Sequence, residues 1–377
     1  MNVIDVLNTI EDNGFEAYIV GGYVRDYLLG IESNDIDICT NARVKDLLKI
    51  FGRMVISSNE YGAVKLSSDN YRFEITTYRK DLKYNGNRRS VEVEYVDNLI
   101  DDINRRDFTM NTLCMSKDGQ IIDLLNGRED IKNKIVRCVG KISDRLEEDP
   151  LRMLRAVRFA TTLGFRIDNE LYKELKNKKE LLSQLSTERI KEELTKILSN
   201  KNSLVGLGML KELGFLDVLG IDYDQDKIVY VEDICGMYSQ LKINIKLPFS
   251  KEEKASIKAI QNIINYGIID ANVIFNYGLY ISMVAGSIMG IDKEYIVDLD
   301  KSLPIHSIKE LKVNGEDVCE ILDISPCKII SEVLDELKDA ILKGVIDNDY
   351  DIIKDYILVN KRKWLNEGAD VKSIKKR

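Results

Sequence analysis

The spacing of hydrophobic and polar positions changes along this chain near residue 140. Before that point, short segments alternate apolar and polar residues: EAYIV (16–20), DIDIC (35–39), AVKLS (63–67), YRFEITTY (71–78) and VEVEYV (91–96) predict strands. Between them, Val24–Leu29, Val44–Phe51 and Phe108–Met115 predict helices. From about Ser143 onward apolar residues recur every three or four positions, the strand signal disappears, and helix follows helix. Pro248, Pro304 and Pro326 punctuate this region, and Asp222–Asp226 reads as a polar joint. The expected fold class is α+β. A head with a mixed sheet spans 1–142, and helical segments follow over 143–200, 201–300 and 301–377.

No run of about 18 apolar residues is found, so no membrane-spanning helix is expected. Residues 1–22 place acids early and lack a basic region ahead of an apolar stretch, which predicts an amphipathic helix leading into a strand rather than a signal peptide. A cytoplasmic protein with no membrane partner is the expectation. Across 377 residues, 44% hydrophobic and 31% charged, the composition is that of a soluble globular chain. A single histidine, His306, removes every mechanism that needs two. The six cysteines form no CxxC pair and read as small buried hydrophobes in a reducing compartment. The net charge of −8 argues against a uniformly basic nucleic-acid surface, yet positive charge gathers locally. It does so at Arg105 and Arg106, at Arg152, Arg155 and Arg158, and from Lys361 to Arg377, where a solvated terminus and RNA contact are both open.

Chemistry first shows at Gly21-Gly22. Two glycines after an apolar strand let the backbone turn sharply and approach a ligand, and the free N–H groups of the next helix suit a phosphate. Arg25 lies one turn into that helix, where a guanidinium can fork onto a triphosphate. Asp35 and Asp37 stand two apart in a strand, so both carboxylates leave one face. Two acids there repel unless a cation lies between them, and Mg2+ takes one or two carboxylates plus substrate phosphates. An acidic strand edge in solvent is the plain alternative. Glu74 alternates with Phe73 and Ile75 and shares a polar face with Thr76. If its strand neighbours that of the aspartates, three carboxylates converge, which suits a two-metal in-line displacement.

GGYVRDYLLG (21–30) with DID (35–37) resembles the signature of the polymerase-β-type nucleotidyltransferases, in the branch of bacterial CCA-adding enzymes and poly(A) polymerases. The likeness continues in the family's order through RRDFTMN (105–111), DLLNGRED (123–130), EDPLR (148–152) and TERIKEE (187–193), the last resembling a helix that braces EDxxR. Leu125-Asn126 stands where Phe-Gly is common. LPIHSIKELKVNGEDV (303–318) resembles the start of an RNA-binding tail, while 201–300 carries no such motif. The resemblance implies a catalytic head (1–142), a nucleotide-reading neck (143–200), a body (201–300) and an RNA-binding tail (301–377). It implies tRNA as partner, ATP and CTP as substrates, and Mg2+ held by Asp35 and Asp37 with Glu74 as a further catalytic acid. The implied reaction is addition of C, C and A to the tRNA 3′ end, with release of pyrophosphate. A homodimer stays open. An A-adding enzyme or a poly(A) polymerase would share these motifs, although Phe51-Gly52-Arg53-Met54 keeps only Gly-Arg of the polymerases' GRRF-like stretch. A catalytically inactive RNA-binding protein is the reading from another class, and three acids near phosphates count against it.

The resemblance also gives roles to the arginine-rich segments. Gly22, Arg25 and Arg106 are expected on the nucleotide, and Asp107 as acceptor for a ribose hydroxyl. Without the resemblance, Asp107 reads as a helix cap and Arg106 as solvated. Asp149 and Arg152, three apart, share a helix face. A carboxylate that accepts from an exocyclic amine, beside a guanidinium that donates to a ring acceptor, can read cytosine or adenine without a template. From the dipeptide alone, Asp149 is an N-cap and Pro150 the first helical residue, and a helix starting slightly before Asp149 would serve both readings. Arg155 and Arg158 align with residues that line the family's nucleotide pocket. Arg79–Ser90 is polar and reads as a mobile surface loop. A loop here re-forms the family's pocket for ATP after two cytidines, so its full length predicts addition of A as well as C.

Overall fold

The computed structural model describes residues 2–58, 62–67, 71–83 and 92–373. They form two compact units, Met1–Asp224 with Leu241–Pro248, and Gln225–Gln240 with Phe249–Arg377.

The first unit opens with helix α1 (Val3–Glu11), whose N-terminus is closed reciprocally by Asn2 and Asp5. A sheet follows, built from β1 (Ala17–Val20), β2 (Asp35–Thr40), β3 (Val55–Ser58), β4 (Ala63–Ser67), β5 (Arg72–Thr77), β8 (Cys114–Met115) and β9 (Ile121–Ile122), in the order β3-β4-β5-β2-β1-β8-β9. The central pair β2–β5 is parallel and its neighbours are antiparallel, so the sheet is mixed, as the alternation predicts. Ile36, Ile38, Phe73 and Ile75 are buried on one face. Residues two apart share a face, so Asp35, Asp37, Arg72 and Glu74 project from the other. Helices α2 (Gly22–Leu29) and α3 (Val44–Phe51) fall where the periodicity places them.

Three expectations change. Phe108–Met115 is not a helix: Thr109–Asn111 makes one 3-10 turn, and β8 joins the sheet edge by pairing Met115 with Ile19 and Cys114 with Val20. A short apolar run fits either element, and here the neighbouring strand decides. Arg79–Lys83 is strand β6 rather than loop, paired antiparallel with β7 (Glu92–Tyr95); residues 84–91 lie outside the described residues. Strands also persist past Ser143. β10 (Ile135–Val136) pairs in parallel with β11 (Arg166–Ile167), and Ile221–Tyr223 pairs with Leu241–Ile243. These pieces are two or three residues long, too short to show a period in sequence.

The rest of the first unit is helical: α4 (Leu99–Asn104), α5 (Gly127–Lys132), α6 (Ile142–Glu148), α7 (Leu151–Leu163), α8 (Asn169–Asn177) and α9 (Thr187–Leu198), before further short helices. The described part of the second unit packs its helices on a core that includes Ile260, Ile263, Ile296, Leu337, Ile353 and Trp364. Its helix Ala271–Met289 is long and apolar enough to cross a membrane by length and composition. The expectation of no such segment rested on unbroken apolar runs; this helix contains asparagine, serine and tyrosine but no charged residue. Its backbone leaves helical geometry at Gly278 (φ 78°, ψ 161°), and Val273, Ile274, Val284 and Ala285 are buried in the unit's core. Cys39, Cys114 and Cys138 are buried as expected, whereas Cys235 and Cys319 are half-buried and Cys327 is exposed.

Candidate active site

The chain leaves β1 through Gly21, at φ 80° and ψ −132°, backbone that residues with a side chain avoid. A Cβ there would stand 3.6 Å from Asp37 Oδ2 and 3.5 Å from Arg106 Nη1, so the turn is packed against both. Gly22 begins α2, and Arg25, one turn in, is buried. Its Nη1 donates to Asn111 Oδ1 at 2.7 Å and its Nε to Asp26 at 2.8 Å.

The predicted meeting of β2 and β5 occurs. Asp37 lies directly opposite Glu74, and Asp35 opposite Arg72. Asp37 and Glu74 line a cavity of about 750 Å3 with Gly22, Arg25, Arg106, Asp107, Asp149, Arg152, Arg155 and Arg158. Asp35 opens instead on an adjoining recess of about 460 Å3, which Asp37 and Glu74 also border. Loss of hydration pushes the Asp37 carboxyl above its usual range, Arg106 opposes this, and Glu74 and Asp35 add to it. Glu74 is engaged by Lys65, whose Nζ stands 3.2 Å from Oε2. Among the described residues no group of three His, Cys, Asp or Glu is gathered closely enough to hold a metal ion. Asp35 and Asp37, two apart on one strand, remain the pair whose donor chemistry fits a hard cation.

Guanidiniums, each held by an internal partner, wall the same cavity. Asp102, fully buried within α4, accepts from Arg105 Nε at 2.8 Å and Arg106 Nη2 at 3.0 Å. Burial would raise the Asp102 carboxyl, but the two arginines hold it below its usual range. Asp107 Oδ2 accepts from Arg155 Nε at 2.8 Å and also from its Nη2, while Oδ1 accepts from Asn111 Nδ2 at 3.0 Å and from the Phe108 N–H at 2.8 Å. The helix-cap reading of Asp107 therefore fails, because the turn after it starts from Phe108. In this arrangement Asp107 orients Arg155 and Asn111. Arg158 Nε lies 2.6 Å from Glu193 Oε2 on α9, and its Cζ sits 4.0 Å from the centre of the Phe159 ring.

Burial pushes the Asp107 carboxyl up, but Arg155, Asn111 and the Phe108 N–H together hold it well below the carboxylate range. A depressed folded-state pKa adds stability above the unfolded value of about 3.9, and that stability is lost as pH falls through the folded value. Asp107→Asn is expected to cost about 3–5 kcal/mol at neutral pH by leaving Arg155 without its counter-charge. It should also flatten the loss of stability in acid, both read by urea unfolding across pH.

Asp149 and Arg152 both reach the cavity, but not as two residues of one continuous helix. α6 ends at Glu148, Asp149 is extended (φ −144°, ψ 95°), and α7 begins after Pro150, whose missing N–H suits a helix start. Asp149 is therefore neither the N-cap, a place Pro150 takes, nor part of a helix that starts before it; its Oδ1 accepts from the Leu151 N–H at 3.2 Å, and both oxygens accept from Arg189 Nη2, at 3.0 and 3.1 Å. Arg152 is 5% exposed and donates to the Arg145 carbonyl at 2.6 Å.

Arg189, Asp102, Asn111, Arg145 and Lys65 were not among the predicted site residues. Asn111 closes the RRDFTMN run, and Asp102 stands three and four residues before the arginine pair, so both carried a local signal. Arg189 bonds a residue forty positions away, which no local pattern shows.

Acids whose donor chemistry suits a cation and guanidiniums that suit phosphates line one cavity, and the matches along the chain place it among the nucleotidyltransferases. Comparison with known proteins carries the assignment further. The family described as the Poly A polymerase head domain matches residues 17–137, and tRNA nucleotidyltransferase domain 2 matches residues 238–357. The CCA-adding enzyme of Ligilactobacillus salivarius is 34% identical, with 97% of this chain and 96% of that protein covered. That of Bacillus cytotoxicus is 30% identical, with 93% and 96% covered. The crystal structure of the Bacillus stearothermophilus CCA-adding enzyme in complex with CTP matches with a TM-score of 0.83 at 26% identity, covering 97% of this chain and 98% of that one. The chain belongs to the CCA-adding enzymes.

Proposed function

We propose that the chain adds C, C and A in turn to the 3′ end of tRNA, from CTP and ATP, releasing pyrophosphate. The observation that carries this reading is that one cavity holds both halves of the task. Asp37 and Glu74 stand on the sheet side, and Asp149 and Arg152 on the helical side. The likeness to CCA-adding enzymes along nearly the whole chain supports it over an A-adding enzyme or a poly(A) polymerase. The acids at the cavity support catalysis over a binding-only relative.

Gly22 at the start of α2 offers backbone N–H groups to phosphate, and Arg25, Arg106, Arg155 and Arg158 supply positive charge around it. Asp149 is positioned to accept from the exocyclic amine of cytosine or adenine, and Arg152 to donate to the ring acceptor beside it. Arg189 holds Asp149, while the Arg145 and Arg105 carbonyls hold Arg152, so the reading pair is pre-oriented before a nucleotide arrives. Mg2+, held by Asp35 and Asp37, would supply polarisation of the attacking hydroxyl and of the phosphates. We assign catalysis to the head (1–142), base reading to the neck (143–200) and tRNA binding to the tail (301–377), with 201–300 as a helical body. The place of work is the cytoplasm, and light scattering on the purified protein reads whether two copies pair. Side chains from residue 366 onward, with most of the basic C-terminal run, lie outside the described residues.

The test is nucleotide choice. Arg152→Ala is expected to raise UTP or GTP incorporation relative to CTP, because a bidentate edge contact contributes roughly 1–3 kcal/mol of discrimination. Competition between labelled triphosphates reads this. Loss of all four nucleotides by one common factor would make Arg152 a brace for Arg145 and Arg105 only, and the base-reading assignment would fall.

A further inference from the structure

Three tyrosines that the reaction described so far does not use gather on another face of α2. Tyr23 and Tyr27 stand one turn apart on that helix, and with Tyr71, just before β5, they line a recess of about 450 Å3 that runs to Asn34. Tyr27 is 60% exposed and Ile31 beside it 49% exposed, so the recess is open to a ligand. Burial, then the neighbouring Tyr71 and Tyr27, raise the Tyr23 hydroxyl above its ordinary range, as expected of rings gathered closely.

The recess is placed by the catalytic strand. Arg25 lines the triphosphate cavity, whereas Tyr23 and Tyr27 line this recess, so α2 stands between the two. Asn34 adjoins Asp35, the acid that borders the recess of about 460 Å3 but not the large cavity. In an in-line displacement the attacking hydroxyl arrives opposite the leaving pyrophosphate. The strand carrying it must therefore approach from the side the triphosphate does not fill, and the Asp35 end offers that side.

We propose that the Tyr23–Tyr27–Tyr71 recess is a stacking site for a nucleobase of the incoming RNA strand near its 3′ end, an assignment that rests on the function proposed above. Aromatic faces suit this task because every base has a π-face, and the RNA end changes identity at each addition while the contact must persist. The phenols select no sequence; they hold the strand while the hydroxyl is placed.

Steady-state kinetics of C addition, with RNA and CTP varied separately, tests this on Tyr27→Ala, Tyr71→Ala and Tyr27→Phe. Loss of one stack is expected to raise the KM for RNA about tenfold, leaving kcat and the KM for CTP unchanged, while Tyr27→Phe keeps the wild-type value. An unchanged RNA KM in both alanine variants overturns the proposal. So does a changed oligomeric state with unchanged RNA KM, which would make the recess an interface between copies. Wild-type protein that transfers no nucleotide would sink the function itself, a separate outcome.

Discussion

Asp37→Asn is expected to lower nucleotide transfer about a thousandfold or more while leaving the fold intact. The side chain projects from β2 into the open cavity, and an amide has the same shape as the carboxylate it replaces, so the packing beside Gly21 is kept. What changes is charge. Asp37 stands opposite Glu74 and two residues from Asp35, and together with Asp35 it would hold the cation. Losing one charged ligand there costs several kcal/mol of transition-state stabilisation, and about 1.4 kcal/mol is a factor of ten in rate. Asp35→Asn should behave likewise. Glu74→Gln should be milder, since Glu74 is shared with Lys65. Single-turnover transfer, with circular dichroism as a check on folding, measures all three. Near wild-type transfer by either asparagine variant would remove the aspartates from the site.

Deleting Leu82–Asn87 is expected to leave C addition intact and abolish the terminal A. Here the structure sharpens the sequence reading. The segment is not a free loop from its first residue, because β6 and β7 pair as a hairpin whose base sits at Arg79 and Tyr95. The Arg79 N–H donates to Asp102 Oδ1 at 3.3 Å, and Asp102 also holds Arg106. The hairpin base and Arg106, which lines the cavity, thus share one buried carboxylate. A change in the hairpin between C and A addition can reach the pocket by that route. Adenylation of tRNA ending in CC, beside cytidylation of tRNA lacking all three nucleotides, separates the two activities. Equal loss of both would make the deletion a folding defect, and retention of both would free A addition from this segment.

Much of the head could be read in the sequence because its strands alternate strictly. Ile36, Ile38, Phe73 and Ile75 fix which face is buried, and Asp37 and Glu74 fall on the other by period alone. β8 could not be read, since Leu113-Cys114-Met115 becomes strand only where β1 lies alongside. The departure at Leu125-Asn126 also finds its reason in the fold. Asn126 takes a left-handed conformation (φ 58°), which asparagine tolerates better than most residues, and so fills a place where glycine is common. The arginine wall was visible as residues but not as an arrangement. Arg155 with Asp107 and Arg189 with Asp149 join segments at least forty residues apart; the first pair links α7 to the RRDFTMN segment, and the second forms where α9 packs along α7.

The most direct measurement offers the purified protein tRNA ending before CCA, after C and after CC, each with CTP alone, ATP alone or both, and reads the product ends at single-nucleotide resolution. The account predicts two additions to the first tRNA with CTP alone, one A on tRNA-CC with ATP, and a complete CCA end with both. A product that halts at CC with ATP present, or A addition to tRNA-CC without any C addition, would contradict it.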